Sequence, residues 1–133
     1  MNKNTKESRQ LEHISTTICS SSTDGSQLVA REISDLIRSR NADGQHAVLG
    51  LATGSTPIGV YRELVRLHKD EGLSFKKVLT FNLDEYHGLE PEHPESYAAF
   101  MDRHFFSLID IPADATVVPD GKVPREDVFA YAA

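Results

Sequence analysis

The segment LGLATGSTPIGVYREL, Leu49 to Leu64, passes from an apolar run to helical spacing across the short turn Thr53-Gly54-Ser55-Thr56. A run such as AVLGL, Ala47 to Leu51, has the pattern of a strand buried on both faces of a parallel sheet. After the turn, Ile58, Tyr61, Leu64, Val65 and His68 share one face of a helix. Thr56 is expected to cap that helix, and Pro57 suits its first position, where a missing N–H costs nothing. Glu71-Gly72 ends it. A strand that feeds a helix through so short a turn opens a right-handed βαβ unit, which limits the architectures open to the rest of the chain.

The same alternation recurs on both sides. ISTTIC, Ile14 to Cys19, is β-branched and reads as a first strand. Ser22-Thr23-Asp24 offers capping oxygens to a helix with Leu28, Val29, Ile33, Leu36 and Ile37 inside, and NADG stops it. KVLTFN, Lys77 to Asn82, is the third strand. Tyr97, Phe100, Met101, His104, Phe105 and Leu108 then mark an amphipathic helix. ATVV, Ala115 to Val118, is a weak fourth strand, and PREDVFAYAA opens like a helix. The order βαβαβαβα predicts an α/β domain built on a parallel sheet with flanking helices. Residues 1–11 are expected to be a loose polar tail and residues 12–133 the domain. The last helix reaches Ala133 without a cap or glycine, so the domain is expected to continue beyond it.

With 133 residues, the chain has room for one domain. Its 39% apolar and 26% charged residues fit an ordered globular protein. A net charge of -6 argues against a nucleic-acid-binding surface, which needs a basic stripe. The single cysteine, Cys19, forms no intramolecular disulfide, which fits a reducing compartment, and it reads as an inert small hydrophobe. The start is polar, and no stretch approaches the roughly 20 apolar residues of a membrane span. The expectation is a cytoplasmic protein with no membrane partner.

Ligands of open parallel sheets sit outside the carboxyl ends of the strands, and two strand exits carry chemistry. At Thr53-Gly54-Ser55-Thr56 a glycine lets the backbone approach a ligand, N–H groups point out of a helix start, and hydroxyls add donors. That combination suits a phosphate. The alternative is a tight turn with a capping threonine and no ligand. Neither G-x-x-x-x-G-K-[ST] nor G-x-G-x-x-G occurs in the stretch, so a nucleotide loop is not expected.

At the second exit, FNLDEYHG places Asp84 and Glu85 directly after a strand. Adjacent carboxylates on an extended chain point opposite ways, so one faces the cleft and one does not. The one above an anchored phosphate ligand is a candidate general base. The alternative is a loop acid that caps the next turn or pairs with a lysine. His87 and His93 flank this loop at a spacing that matches no tight ligand set, so neither metal nor cofactor is expected. His104 lies on an apolar helix face as a core histidine.

Together LGLATGSTPIGVYREL, SFKKVLTFNLDEYHGL, EHPESYAAFMDRHFF and DIPADATVVPDG resemble the amino-terminal half of the glucosamine-6-phosphate deaminase family, from about Ile14 onward. FNLDEY followed by HPESY is specific to it, whereas TGSTP is shared with the wider sugar-phosphate isomerase superfamily. The resemblance implies a Rossmann-like fold, here its amino-terminal half. It also implies conversion of D-glucosamine 6-phosphate and water into D-fructose 6-phosphate and ammonia. It assigns Thr53, Gly54, Ser55 and Thr56 to the sugar phosphate and Asp84 to proton transfer from carbon 2 to carbon 1; Glu85, beside Asp84, is also expected among the substrate-binding residues. In the family a later G-x-D-G-H-I-A-F-N-E segment supplies the ring-opening histidine and a further acid. A downstream lysine and arginine grip the phosphate. None of these is in this sequence.

The expected partner is a small sugar phosphate, and the complete form is open to homo-oligomer formation. Two rivals stand beside this reading. A 6-phosphogluconolactonase shares the fold and the phosphate turn, but its strand exit reads Asp-Glu-Arg where this chain has Asp84-Glu85-Tyr86. A non-catalytic sugar-phosphate sensor needs the turn and can dispense with Asp84.

Overall fold

The computed structural model describes residues 7–11 and 14–132. Along the chain come β1 (Glu7–Leu11), β2 (Ile14–Ile18), α1 (Ser22–Ala42), β3 (Ala47–Leu51), α2 (Ser55–Glu71) and β4 (Val78–Asn82). Then follow α3 (Tyr97–His104), β5 (Thr116–Val117) and α4 (Val128–Ala132). Strands β3, β4 and β5 form a parallel sheet in that order, with Leu49 opposite Thr80 and Thr80 opposite Thr116. The α/β class with a parallel sheet and flanking helices is therefore observed.

The amino-terminal expectation changes. Glu7–Leu11, placed by sequence in a loose tail, pairs antiparallel with Ile14–Ile18. The strand expected to open the parallel sheet thus belongs to a separate hairpin, with Ile14 and Ile18 both exposed. Residues 1–6 lie outside the described residues. Among the described residues no helix is long and apolar enough to cross a membrane.

Strand β3 is apolar along its whole length, yet it is buried on one face. Ala47, Leu49 and Leu51 point into the core while Val48 is 58% exposed. Strand β4 repeats this, with Val78, Thr80 and Asn82 inside and Phe81 47% exposed. The expectation of burial on both faces is corrected. The inner face shares one buried cluster with residues of α1, α2 and α3, including Ile37, Tyr61, Leu64 and Met101. Across the register, Phe81 stands beside the exposed Val117 on the opposite face.

Helix α1 is rotated from its expected face. Ala30, Ser34 and Ile37 are buried, whereas Val29 and Leu36 are exposed. The cause is close packing on α2 through a stripe of small residues, Ser26, Ala30 and Ser34, spaced four apart along one ridge. A Cβ on Gly59 would lie 2.5 Å from the Ser26 hydroxyl, so the approach requires a glycine there. Shape selected this face over hydrophobicity. The cap also moves by one residue: the Ser21 hydroxyl accepts the N–H of Asp24 at 3.1 Å.

Helix α2 begins at Ser55 with Gly54 in the cap position at φ 108°, and no side chain makes a capping hydrogen bond. Thr56 therefore lies inside the first turn instead of capping it. Pro57 follows it, still among the positions whose N–H has no intrahelical partner. Gly72, left-handed at φ 69°, ends the helix as expected. Helix α3 starts on the Ser96 cap but stops at His104, short of Leu108. Phe105 leaves helical geometry at φ -146° and buries its ring against Tyr61 and Phe75, with centroids 4.9 and 5.5 Å away. Core packing ends the helix, and a short 3-10 turn, Phe106–Leu108, follows.

Candidate functional site

Because β3 and β4 are parallel and pair through Leu51 and Asn82, their carboxyl ends emerge side by side. The Leu83 N–H continues the ladder by donating to the Leu51 carbonyl at 3.3 Å. The two chains then part. One forms the turn Ala52-Thr53-Gly54 into α2, and the other the loop Leu83-Asp84-Glu85-Tyr86. The turn is pinned from below, since the buried Tyr61 donates its phenol hydrogen to the Ala52 carbonyl at 2.5 Å. Gly54 holds a left-handed φ that a side chain adopts at a cost of about 1–3 kcal/mol.

The adjacent acids of the second exit separate as an extended chain requires. Asp84 is exposed, while Glu85 turns toward α3. One Glu85 oxygen accepts the N–H groups of Tyr86 and Tyr97, each at 2.8 Å, and the other accepts that of Ala98 at 2.9 Å. Glu85 thereby caps the first turn of α3 together with Ser96, whose hydroxyl accepts the Ala99 N–H at 3.0 Å. The alternative of an acid that caps the next turn describes Glu85. The loop is also buttressed from the far side: the Gly88 N–H donates to the Gly121 carbonyl at 2.6 Å, and a Cβ on Gly121 would lie 2.3 Å from the Tyr86 carbonyl oxygen.

Between the two exits lies a cleft of about 310 Å³. Thr53 and Gly54 form one wall; Tyr86, Ser96, Tyr97 and Phe100 form the other, with Pro94, Glu95 and Arg103 completing the lining. The Tyr86 and Tyr97 rings pack with centroids 4.6 Å apart. The Tyr97 phenol is held above its ordinary value, chiefly by polar contact with the Tyr86 phenol and then by burial. The Asp84 charge pushes the same way, and the Thr53 hydroxyl opposes it. Asp84 itself does not line the cleft; it lies on the same loop as Tyr86, which does.

Ser55 and Thr56 face elsewhere. They line a larger groove, about 760 Å³, between the starts of α1 and α2, with Ser22, Ser26 and Arg62 among its other walls. A ligand in the first cleft would meet this turn through the Thr53 side chain and the backbone. At the end of β4, two residues before Asp84, the buried Asn82 amide has no hydrogen-bond partner among the described residues. His104 is half-buried beside Phe100, with ring centroids 4.5 Å apart and tilted, and it lies outside the buried core cluster, so the expected core histidine is at the edge of the core. Among the described residues no three His, Cys, Asp or Glu converge on a metal position.

Sequence reasoning missed Tyr86, Tyr97 and Arg103. Tyr97 read as the first apolar position of a helix face, and its polar end gave no periodic signal. Arg103 donates to the Pro94 carbonyl at 3.0 Å, a contact across nine residues that fastens the loop before α3. An acid reaching the start of that helix from Glu85 has no local pattern.

A turn at a helix start and an acid-bearing loop, set across a cleft at the carboxyl edge of a parallel sheet, define an α/β domain with a candidate ligand site outside its strand ends. The model of the family described as glucosamine-6-phosphate isomerases/6-phosphogluconolactonase matches residues 20–133, and the chain belongs to that family. It is similar to glucosamine-6-phosphate deaminase 2 of Giardia intestinalis, 56% identical over 90 residues, covering 68% of this chain and 33% of that protein. A glucosamine-6-phosphate deaminase of Bacillus velezensis is 58% identical over 81 residues, covering 61% of this chain and 34% of that protein.

Among solved structures, a monomeric glucosamine-6-phosphate deaminase superposes with a TM-score of 0.77 at 41% identity, covering 85% of this chain and 46% of that one. A 6-phosphogluconolactonase from Plasmodium vivax reaches a TM-score of 0.60 at 26% identity, over 83% of this chain and 36% of that one. The chain spans about a third of the length of the curated relatives it matches.

Proposed function

We propose that residues 12–133 are the amino-terminal part of an amino-sugar-phosphate deaminase domain, and that they supply its proton acceptor and part of its phosphate site. The carrying observation is the cleft in which the Thr53–Gly54 turn faces Tyr86, on the loop that bears Asp84, and Tyr97 at the start of α3. The identities of 56% and 58% to proteins named as glucosamine-6-phosphate deaminases favour an amino sugar over a lactone. The Asp84-Glu85-Tyr86 exit supports the same choice.

In this reading the phosphate of D-glucosamine 6-phosphate rests on the backbone N–H groups at the start of α2, beside Thr53. The long axis of the helix adds a favourable field for the anion. The turns of Ser55 and Thr56 contribute through their backbone. The open-chain aldehyde then lies along the cleft with carbon 2 toward Asp84. The neighbouring carbonyl acidifies the hydrogen on carbon 2, and the Asp84 carboxylate takes that proton, leaving an enol-amine. Returning the proton to carbon 1 gives an imine at carbon 2. Water adds there and ammonia leaves, so one sugar phosphate and one water become fructose 6-phosphate and ammonia. Glu85 holds the loop that carries Asp84. Ring opening falls to groups that the family resemblance places in a later segment.

The test is an assay of the full-length protein on glucosamine 6-phosphate and on 6-phosphogluconolactone. Equal amounts of ammonia and fructose 6-phosphate from the first, with no hydrolysis of the second above background, are expected. Lactone hydrolysis without ammonia release would replace the deaminase by the lactonase.

A further inference from the structure

We propose that Tyr97 is a specificity residue of this site: its phenol contacts the hydroxyl-bearing carbon chain of the ligand between the phosphate turn and Asp84. The inference rests on the sugar-phosphate reading above and adds a residue that reads the sugar part.

A phosphate seated at the start of α2 leaves the rest of the ligand to run across the cleft toward Asp84. The wall that it must pass is Tyr97, which lines the same cleft as Thr53 and Gly54. Its position is fixed in two ways. Glu85 holds its backbone N–H at 2.8 Å, and its ring packs on that of Tyr86 with centroids 4.6 Å apart. A side chain fixed in advance loses little conformational entropy when a ligand arrives. Its aromatic body suits the C–H face of a carbon chain, and its hydroxyl suits a ligand hydroxyl. The raised phenol value fits this role, because Tyr97 then stays a neutral hydrogen-bond donor across the neutral pH range. Inorganic phosphate would occupy the turn alone and would not reach across to the phenol.

The test compares fructose 6-phosphate with inorganic phosphate as calorimetric probes of the full-length protein and its Tyr97→Phe variant. Loss of one ligand hydrogen bond from a fixed donor is expected to weaken fructose 6-phosphate by about tenfold. Inorganic phosphate should bind the variant within about twofold of wild type, a difference too small for a lost hydrogen bond. Equal loss for both probes, or no loss for either, overturns the proposal, because a merely structural tyrosine would not separate them. A second measurement needs no substitution. Saturating fructose 6-phosphate should protect Tyr97 from nitration by tetranitromethane, and inorganic phosphate should not. Nitration of Tyr97 at the same rate with and without the sugar phosphate overturns the proposal even where Tyr97→Phe fails to fold. A wild-type protein that binds inorganic phosphate as tightly as fructose 6-phosphate would instead remove the sugar-phosphate reading beneath it.

Discussion

Glu85 accepts the backbone N–H of Tyr97 at 2.8 Å across twelve residues, tying the loop after β4 to the first turn of α3. Through the same oxygen it holds Tyr86, so the two rings that form one wall of the cleft share an anchor. The second acid of the pair thus holds backbone N–H groups, while its neighbour Asp84 stays exposed. Glu85→Ala removes the acceptor of three N–H groups and is expected to destabilise the protein by roughly 1–3 kcal/mol. Glu85→Gln keeps one carbonyl acceptor and should recover part of that loss. Urea melts of both variants check this, and equal stability of Glu85→Ala and wild type would contradict it.

Tyr61 supports the other wall. Its phenol is raised above the ordinary value by burial. In the unfolded chain the group titrates near about 10. The folded state therefore binds the proton more tightly than the unfolded state does. Its stability contribution is complete below that unfolded value and is lost as pH rises through the folded one. Stability should fall above about pH 10 in wild type. Tyr61→Phe should flatten this part of the alkaline fall, at the cost of an unpaired Ala52 carbonyl worth about 1 kcal/mol at neutral pH. Melts at two alkaline pH values separate the two effects.

Gly54 has open space around a would-be Cβ, so its constraint is conformational: φ is 108°. Gly54→Val should strain the turn by about 1–3 kcal/mol or move it, because β-branched residues avoid this region. Either result misdirects the N–H groups of Ser55 and Thr56. Phosphate-ligand affinity should fall more than about tenfold, equivalent to 1.4 kcal/mol. Unchanged sugar-phosphate binding in calorimetry would show that the turn does not hold the anion.

The sequence carried those parts of the fold that depend on local pattern. The strand–turn–helix from Ala47 to Glu71, the strand ending at Asn82 and the start of α3 all follow from hydrophobic period and breaker residues. The same reasoning failed where a tertiary contact decided the outcome. Period alone assigned Val29 and Leu36 to the inside of α1, but close approach of Ser26 to Gly59 turned the helix. It continued α3 to Leu108, but burial of Phe105 ended it. At the site, alternation along an extended chain separated Asp84 from Glu85, yet it did not say which acid turned away. That answer lies in N–H groups of Tyr97 and Ala98, twelve and thirteen residues further on. The tyrosine wall stayed hidden for the same reason.

Asp84 is the residue on which the proposed chemistry turns. It lies two residues beyond the end of β4, on the loop that carries Tyr86, and remains exposed. The hydrogen on carbon 2 of an open-chain amino-sugar aldehyde is acidified by the carbonyl but still requires a base in contact with it. Asparagine matches aspartate in size and keeps hydrogen bonding, yet it does not accept that proton, so the substitution separates chemistry from shape. In the full-length protein Asp84→Asn should lower turnover at least about a hundredfold, the scale of a positioned general base. Sugar-phosphate binding should survive, because the anion rests on the turn across the cleft. Exchange of the carbon-2 hydrogen with deuterated solvent should disappear together with ammonia release, since both require the same abstraction. If Asp84→Asn exchanges that hydrogen at the wild-type rate, the base is another residue. Glu85, whose carboxylate is occupied by three backbone N–H groups, would have to abandon the α3 cap to replace it.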